Sequence, residues 1–143
     1  MSQSYAKLKK LYTRLLDSRD GYEQAFERAN ETWLKPMLAD LKKERAEFAA
    51  AIRADLKKVG ENVEEEGSIL AGLHRSFLGL RDAVTGSDDE AVKAEIVRGE
   101  QVLREAYEEA LEEAEAGHQT AQLQAQKVKV DEAIAKVDQK KAA

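Results

Sequence analysis

The 143-residue chain has no cysteine, one proline and two histidines. Without cysteine there is no thiolate to ligate metal or attack a substrate and no disulfide to staple a small fold, so the chain is expected in the cytoplasm. One proline and eight glycines leave little punctuation for a many-stranded protein. No apolar run approaches the roughly 18 residues that a membrane-spanning helix needs, so no membrane partner is expected. The opening MSQSYAKLKK lacks an apolar stretch and predicts no secretion signal. A formal net charge of −5 argues against nucleic acid as a partner, which needs a concentrated basic footprint. There is no glycine-rich phosphate loop, nucleophile elbow or Ser/His/Asp set, so neither a catalytic residue nor an organic cofactor is expected.

What the chain does have is helix-forming material. Ala, Glu, Leu, Lys and Arg supply 80 of the 143 residues, the compositional mark of long helices. The length suits one domain with a true core. Charge is unevenly spread: residues 1–60 carry 13 basic against 9 acidic side chains, whereas 87–116 carry 3 against 11. Faces of opposite sign attract adjacent helices, and an acidic face also offers a surface for a basic partner or for self-association.

The apolar residues recur at helical spacing. Tyr5, Leu8, Tyr12, Leu15, Tyr22, Phe26 and Trp33 keep phase across the polar stretch at 17–21, which predicts one long helix over about 4–31 with Gly21 inside it. Leu34, Leu38, Leu41, Phe48, Ile52 and Leu56 predict a second, about 34–59, with Pro36 near its start and Gly60 just past its end. So short a connection folds the two back as an antiparallel hairpin. Ser68, Leu70, Leu73, Phe77, Leu80 and Val84 predict a short helix at about 68–84. Ser87-Asp88-Asp89-Glu90 fits a capping box that opens a helix over about 88–115, carrying Val92, Ile96, Gly99, Leu103 and Tyr107. Leu123, Val130, Ile134 and Val137 complete the set at about 119–140. The expected fold is all-α: an antiparallel four-helix bundle with a short extra helix that either crosses a bundle end or extends the helix after it. Core packing is expected for Tyr12, Tyr22, Phe26, Trp33, Phe48 and Phe77.

The stripes are interrupted by polar residues near the helix midpoints: Arg19 and Glu23, then Glu44 and Arg45, then Glu95 or Glu100, and finally Gln124, Lys127 and Asp131. A charge in a helix seam costs stability unless it is paired or binds something, so a polar layer inside the bundle is expected. Two uses fit it. One is buried ion pairing, with Arg19 or Arg45 against Glu23, Glu44 or Glu95, which fixes helix register. The other is an all-carboxylate metal site from Glu23, Glu44, Glu47 and Glu95, whose oxygens suit manganese, magnesium or calcium more than zinc. A di-metal bundle needs a Glu-x-x-His on each of two helices. His74 has no carboxylate three residues before it, and Glu115-x-x-His118 is interrupted by Gly117.

Several segments together resemble a known family. Asp20-Gly21-Tyr22-Glu23, Glu44-Arg45-x-x-Phe48-Ala49, Gly67-Ser68-x-x-x-Gly72-Leu73-His74-Arg75, and Ala91 with Glu95, Arg98-Gly99-Glu100, Tyr107 and Ala110-Leu111 are similar to an uncharacterised bacterial family of four-helix-bundle proteins. That family carries a domain of unknown function and is placed in the ferritin-like superfamily. The resemblance spans about residues 8–138 and implies a ferritin-like, cytoplasmic bundle with no assigned reaction. Three positions depart from the family pattern, in which carboxylates flank Arg-Gly-Glu and a His-Asp pair stands near the C-terminus. Here the flanking positions are Val97 and Gln101, and the C-terminal segment reads Val130-Asp131-Glu132. Two roles follow as expectations. The first is a non-enzymatic bundle acting through its surface or as a homo-oligomer; the second is an iron- or manganese-binding bundle with a carboxylate-rich core.

Overall fold

A computed structural model describes residues 5–63, 89–114 and 118–139. Among these residues the chain is all-helical, with four helices and no strand: α1 (Ala6–Arg28), α2 (Leu34–Lys58), α3 (Asp89–Ala114) and α4 (His118–Gln139). The expected helix at 68–84 and the Ser87 cap lie outside the described residues. No described helix is long and apolar enough to cross a membrane.

The helices form where the stripes place them. Gly21 sits inside α1, where it is buried, and Pro36 is the third residue of α2, ahead of the turns in which a missing N–H would break a bond. Past α2, Gly60 takes φ +83, a left-handed conformation that closes the helix end and that a side chain resists. α1 stops at Arg28, earlier than its stripe suggests, because Ala29 turns extended. The cause is tertiary. The Asp89 carboxylate accepts the backbone N–H of Asn30 at 3.0 Å and of Glu31 at 2.8 Å, holding the turn out of helical geometry. Trp33 therefore belongs to the turn, with its indole N–H donating to Glu31 Oε2 at 2.8 Å.

α1 lies between α2 and α3 and is antiparallel to both. The first turn of α1 meets the last turn of α3, where Glu113 Oε1 accepts the N–H of Lys7 at 3.0 Å and of Leu8 at 3.3 Å. α4 folds back on α3, and its Gln122 donates to Asp55 at the far end of α2 at 2.6 Å. Apolar side chains from all four helices fill two clusters. One contains Leu11, Leu15, Ile52, Leu103 and Leu123; the other contains Ala25, Leu38, Val92, Ile96 and Val137. Tyr12 and Tyr22 are buried, Trp33 and Phe48 half-buried, and Phe26 is 37% exposed, contrary to the core position its spacing suggests. Phe77 lies outside the described residues.

Candidate functional site

The two apolar clusters do not merge. Along α1 the first ends at Leu16 and the second begins at Tyr22; along α2 the border falls between Ala49 and Leu41; along α3 it falls between Leu103 and Ile96. Ser18, Arg45 and Glu100 occupy that border, and all three are buried. A polar layer thus crosses the middle of the molecule, at the level where the stripes are interrupted.

Arg45 is its centre. The side chain is fully buried, and its guanidinium forms an ion pair through Nη2 with Glu100 Oε2. Its Nε donates to Glu100 Oε1 at 3.4 Å and its Nη1 to Glu44 Oε1 at 2.6 Å. The Ser18 hydroxyl lies 3.5 Å from Glu100 Oε1. Two rings flank the cation: Cζ is 5.8 Å from the Tyr22 ring centre and 5.6 Å from that of Phe48. A planar fork with five donors can serve two carboxylates at once, which a lysine ammonium cannot match in geometry. Burial alone would lower the Arg45 pKa, but Glu100, joined by Tyr22 and Glu44, outweighs it and raises it, so the cation is secured.

Two phenols complete the layer. Tyr107 donates to Gln126 Oε1 at 2.6 Å, tying α3 to α4 beside the ion pair. The Tyr22 hydroxyl faces Glu100 and Arg45 but makes no hydrogen bond of acceptable geometry. Burial, reinforced by the Glu100 carboxylate, pushes the Tyr22 phenol well above the ordinary tyrosine range. Burial pushes Tyr107 up as well, against the opposing influence of Arg45. Both phenols stay neutral across the range in which proteins work.

Of the residues singled out from sequence, the layer gathers Glu44, Arg45 and Glu100. The others lie elsewhere. Arg19 is half-buried and pairs with its neighbour Asp20 at 3.0 Å. Glu23 is exposed and pairs with Lys42. Glu47 and Gln124 are exposed. Glu95 faces the rim and accepts from Arg98 at 2.7 Å. Lys127 and Asp131 pair with each other at 3.5 Å on the surface of α4. Glu23, Glu44, Glu47 and Glu95 do not converge: among the described residues no three His, Asp or Glu side chains form a group able to hold a metal ion. His118 opens α4, while His74 and Glu115 lie outside the described residues. Ser18, Tyr107 and Gln126 were not anticipated as members of the layer. Serine and glutamine at single positions carry no periodic signal, and the ring of Tyr107 hides the hydroxyl that matters here.

The donor chemistry of the layer suits an ion pair. A cation already stands between Glu44 and Glu100, and a divalent ion brought to the same oxygens would be repelled by it. These residues therefore do not fit the di-metal centre that a ferritin-like fold would imply. A family model, that of a domain of unknown function (DUF2383), matches residues 3–113. No curated protein and no solved structure matches the chain.

Proposed function

The chain belongs to the DUF2383 family, and from that premise we propose a non-enzymatic, ferritin-like four-helix bundle of the bacterial cytoplasm that acts through its surface or by self-association. The observation that carries this reading is the fully buried Arg45 guanidinium, which holds the middle of the molecule and engages both nearby carboxylates. An interior closed by its own ion pair leaves the outer faces to do the work. α3 turns Glu105, Glu108 and Glu112 outward, and Val102 and Val128 stand 39% and 52% exposed. An acidic stripe with apolar side chains nearby supports contact with the basic N-terminal half of a second copy, and electrostatic contacts of this kind weaken with salt.

Light scattering over a range of protein and salt concentrations tests the self-association. A mass that rises with protein concentration and falls with salt is expected, and a monomer under every condition contradicts it. Metal content tests the non-enzymatic part. Protein purified from cells supplemented with iron and manganese should carry only traces. Near-stoichiometric metal in the wild type, lost from the Glu23→Ala/Glu95→Ala variant, would restore the metal-binding alternative.

A further inference from the structure

The outer seam between α1 and α2 contains a groove of about 670 Å³ whose two walls differ. α1 contributes Phe26, left 37% exposed, between the exposed carboxylates of Glu23 and Glu27. α2 contributes Ala39, Lys42, Lys43 and Ala46. These four stand at i, i+3, i+4 and i+7, the diamond of helix positions that receives one side chain from a facing helix. Alanine at its two poles leaves the hole open, and the lysine stems form its sides. One wall is therefore acidic around an apolar knob, and the other is basic around a hole. Glu23 and Lys42 pair across the seam, which sets residues 23 and 42 at one level. Glu27 and Lys43, both exposed, have no ion-pair partner among the described residues.

Such a face is complementary to itself. A two-fold axis along the seam lays α1 of one copy over α2 of the other without changing level, so each acidic wall meets a basic one. An axis across the seam would lay α1 over α1 and α2 over α2, like charge on like. We propose that the groove is the seat of a second copy of this chain, related by a two-fold axis parallel to the seam. Phe26 of each copy enters the hole between Ala39, Lys42, Lys43 and Ala46 of the other, and Glu27 of each pairs with Lys43 of the other. The levels agree. Counted toward the α1–α2 turn, Phe26 lies three residues beyond Glu23 and Ala39 three beyond Lys42, which sets the knob level with the upper pole of the hole. Side chains lean toward the N-terminus of their own helix, which tilts Phe26 into the centre of the hole. Glu27 stands about 7.5 Å above Lys43 at 1.5 Å per residue, and the antiparallel helices lean these two toward each other. This contact rests on the self-association reading and lies apart from the acidic face of α3.

Sedimentation equilibrium of the full chain tests the contact. The wild type should pass from monomer to dimer as its concentration rises. Phe26→Ala should weaken the dimer about thirtyfold or more, since the knob is lost at two symmetric places. Glu27→Lys and Lys43→Glu should each weaken it about tenfold by setting like charges opposite one another. Mixed in equal amounts, these two variants should form a heterodimer about as stable as the wild-type dimer, because both contacts then join opposite signs. All three positions are exposed, and circular dichroism verifies that the helices persist. A dimer indifferent to the three substitutions, or a mixture that fails to recover, overturns this contact and leaves self-association through α3 standing. A wild type that is monomeric at every concentration overturns both. Ala46→Cys, in a chain without native cysteine, reads the occupant of the groove. Maleimide labelling there should slow as protein concentration rises. A rate independent of concentration overturns the proposal, and a uniformly slow one gives the groove to the chain itself.

Discussion

Three carboxylates on α3 hold it to the α1–α2 hairpin, and they do so in two different ways. Asp89 at one end and Glu113 at the other accept backbone N–H groups of the turn and of the first turn of α1, groups that have no partner within their own helix. Glu100, in the middle, faces the Arg45 cation where both are buried. At the ends, water stands ready to replace a lost partner. In the centre nothing does, so the same residue type on the same helix is a modest contributor in one place and a strict requirement in another.

That contrast ranks the consequences of removing each group. Glu100→Gln should cost about 3–5 kcal/mol in urea unfolding, because it leaves Arg45 charged and buried without its main counterion. A cost below that of the end variants would break the contrast. Asp89→Ala should cost about 1–2 kcal/mol, since a buried carboxylate serving two N–H groups acts as a cap for the turn. Amide exchange at Asn30 and Glu31 should quicken at the same time. Glu113→Ala, at a wetter position, should cost less than about 1 kcal/mol, with the difference shrinking in salt. A salt-independent loss there would place Glu113 with Glu100 instead.

The smallest effect at neutral pH belongs to the phenols. Tyr22 and Tyr107 titrate above the ordinary tyrosine range in the folded protein, so the unfolded chain loses protons first as pH rises. Their contribution is complete below about pH 10, the ordinary tyrosine value, and is lost as the pH climbs toward their folded pKa values. Ultraviolet titration should show these two ionising only together with loss of helix, whereas ionisation of all four tyrosines with the helices intact would contradict their burial.

Long-range periodicity made the four helices legible in the sequence, because an apolar face has to recur every three or four residues to be buried at all. The polar layer was legible in part. Interruptions at Glu44, Arg45 and Glu100 mark it, but periodicity does not tell which of several charges near a seam turns inward. Glu95 and Glu100 both lie near the edge of the α3 stripe. Five residues of helix put the two about 140° apart, so Glu100, four after Ile96 and three before Leu103, turns inward and Glu95 is left on the rim. Glu23 counts among the interruptions of the first stripe, yet it stands one residue, about 100° of rotation, from the buried Tyr22, enough to place it in solvent against Lys42. The early end of α1 was hidden for a different reason. It depends on Asp89, 60 residues away in the chain, and no local pattern around Arg28 announces that contact.

The account rests on the claim that Arg45 and Glu100 are each other's main partner in the buried centre. Equilibrium urea unfolding of Arg45→Met, Glu100→Leu and the double variant measures this most directly. The claim predicts that each single variant loses about 3–5 kcal/mol and that the double variant recovers most of the loss, because an apolar pair of similar volume replaces a buried ion pair with little or no penalty. A double variant as unstable as the sum of the two singles would show that the two groups act independently, and the central layer would need another explanation.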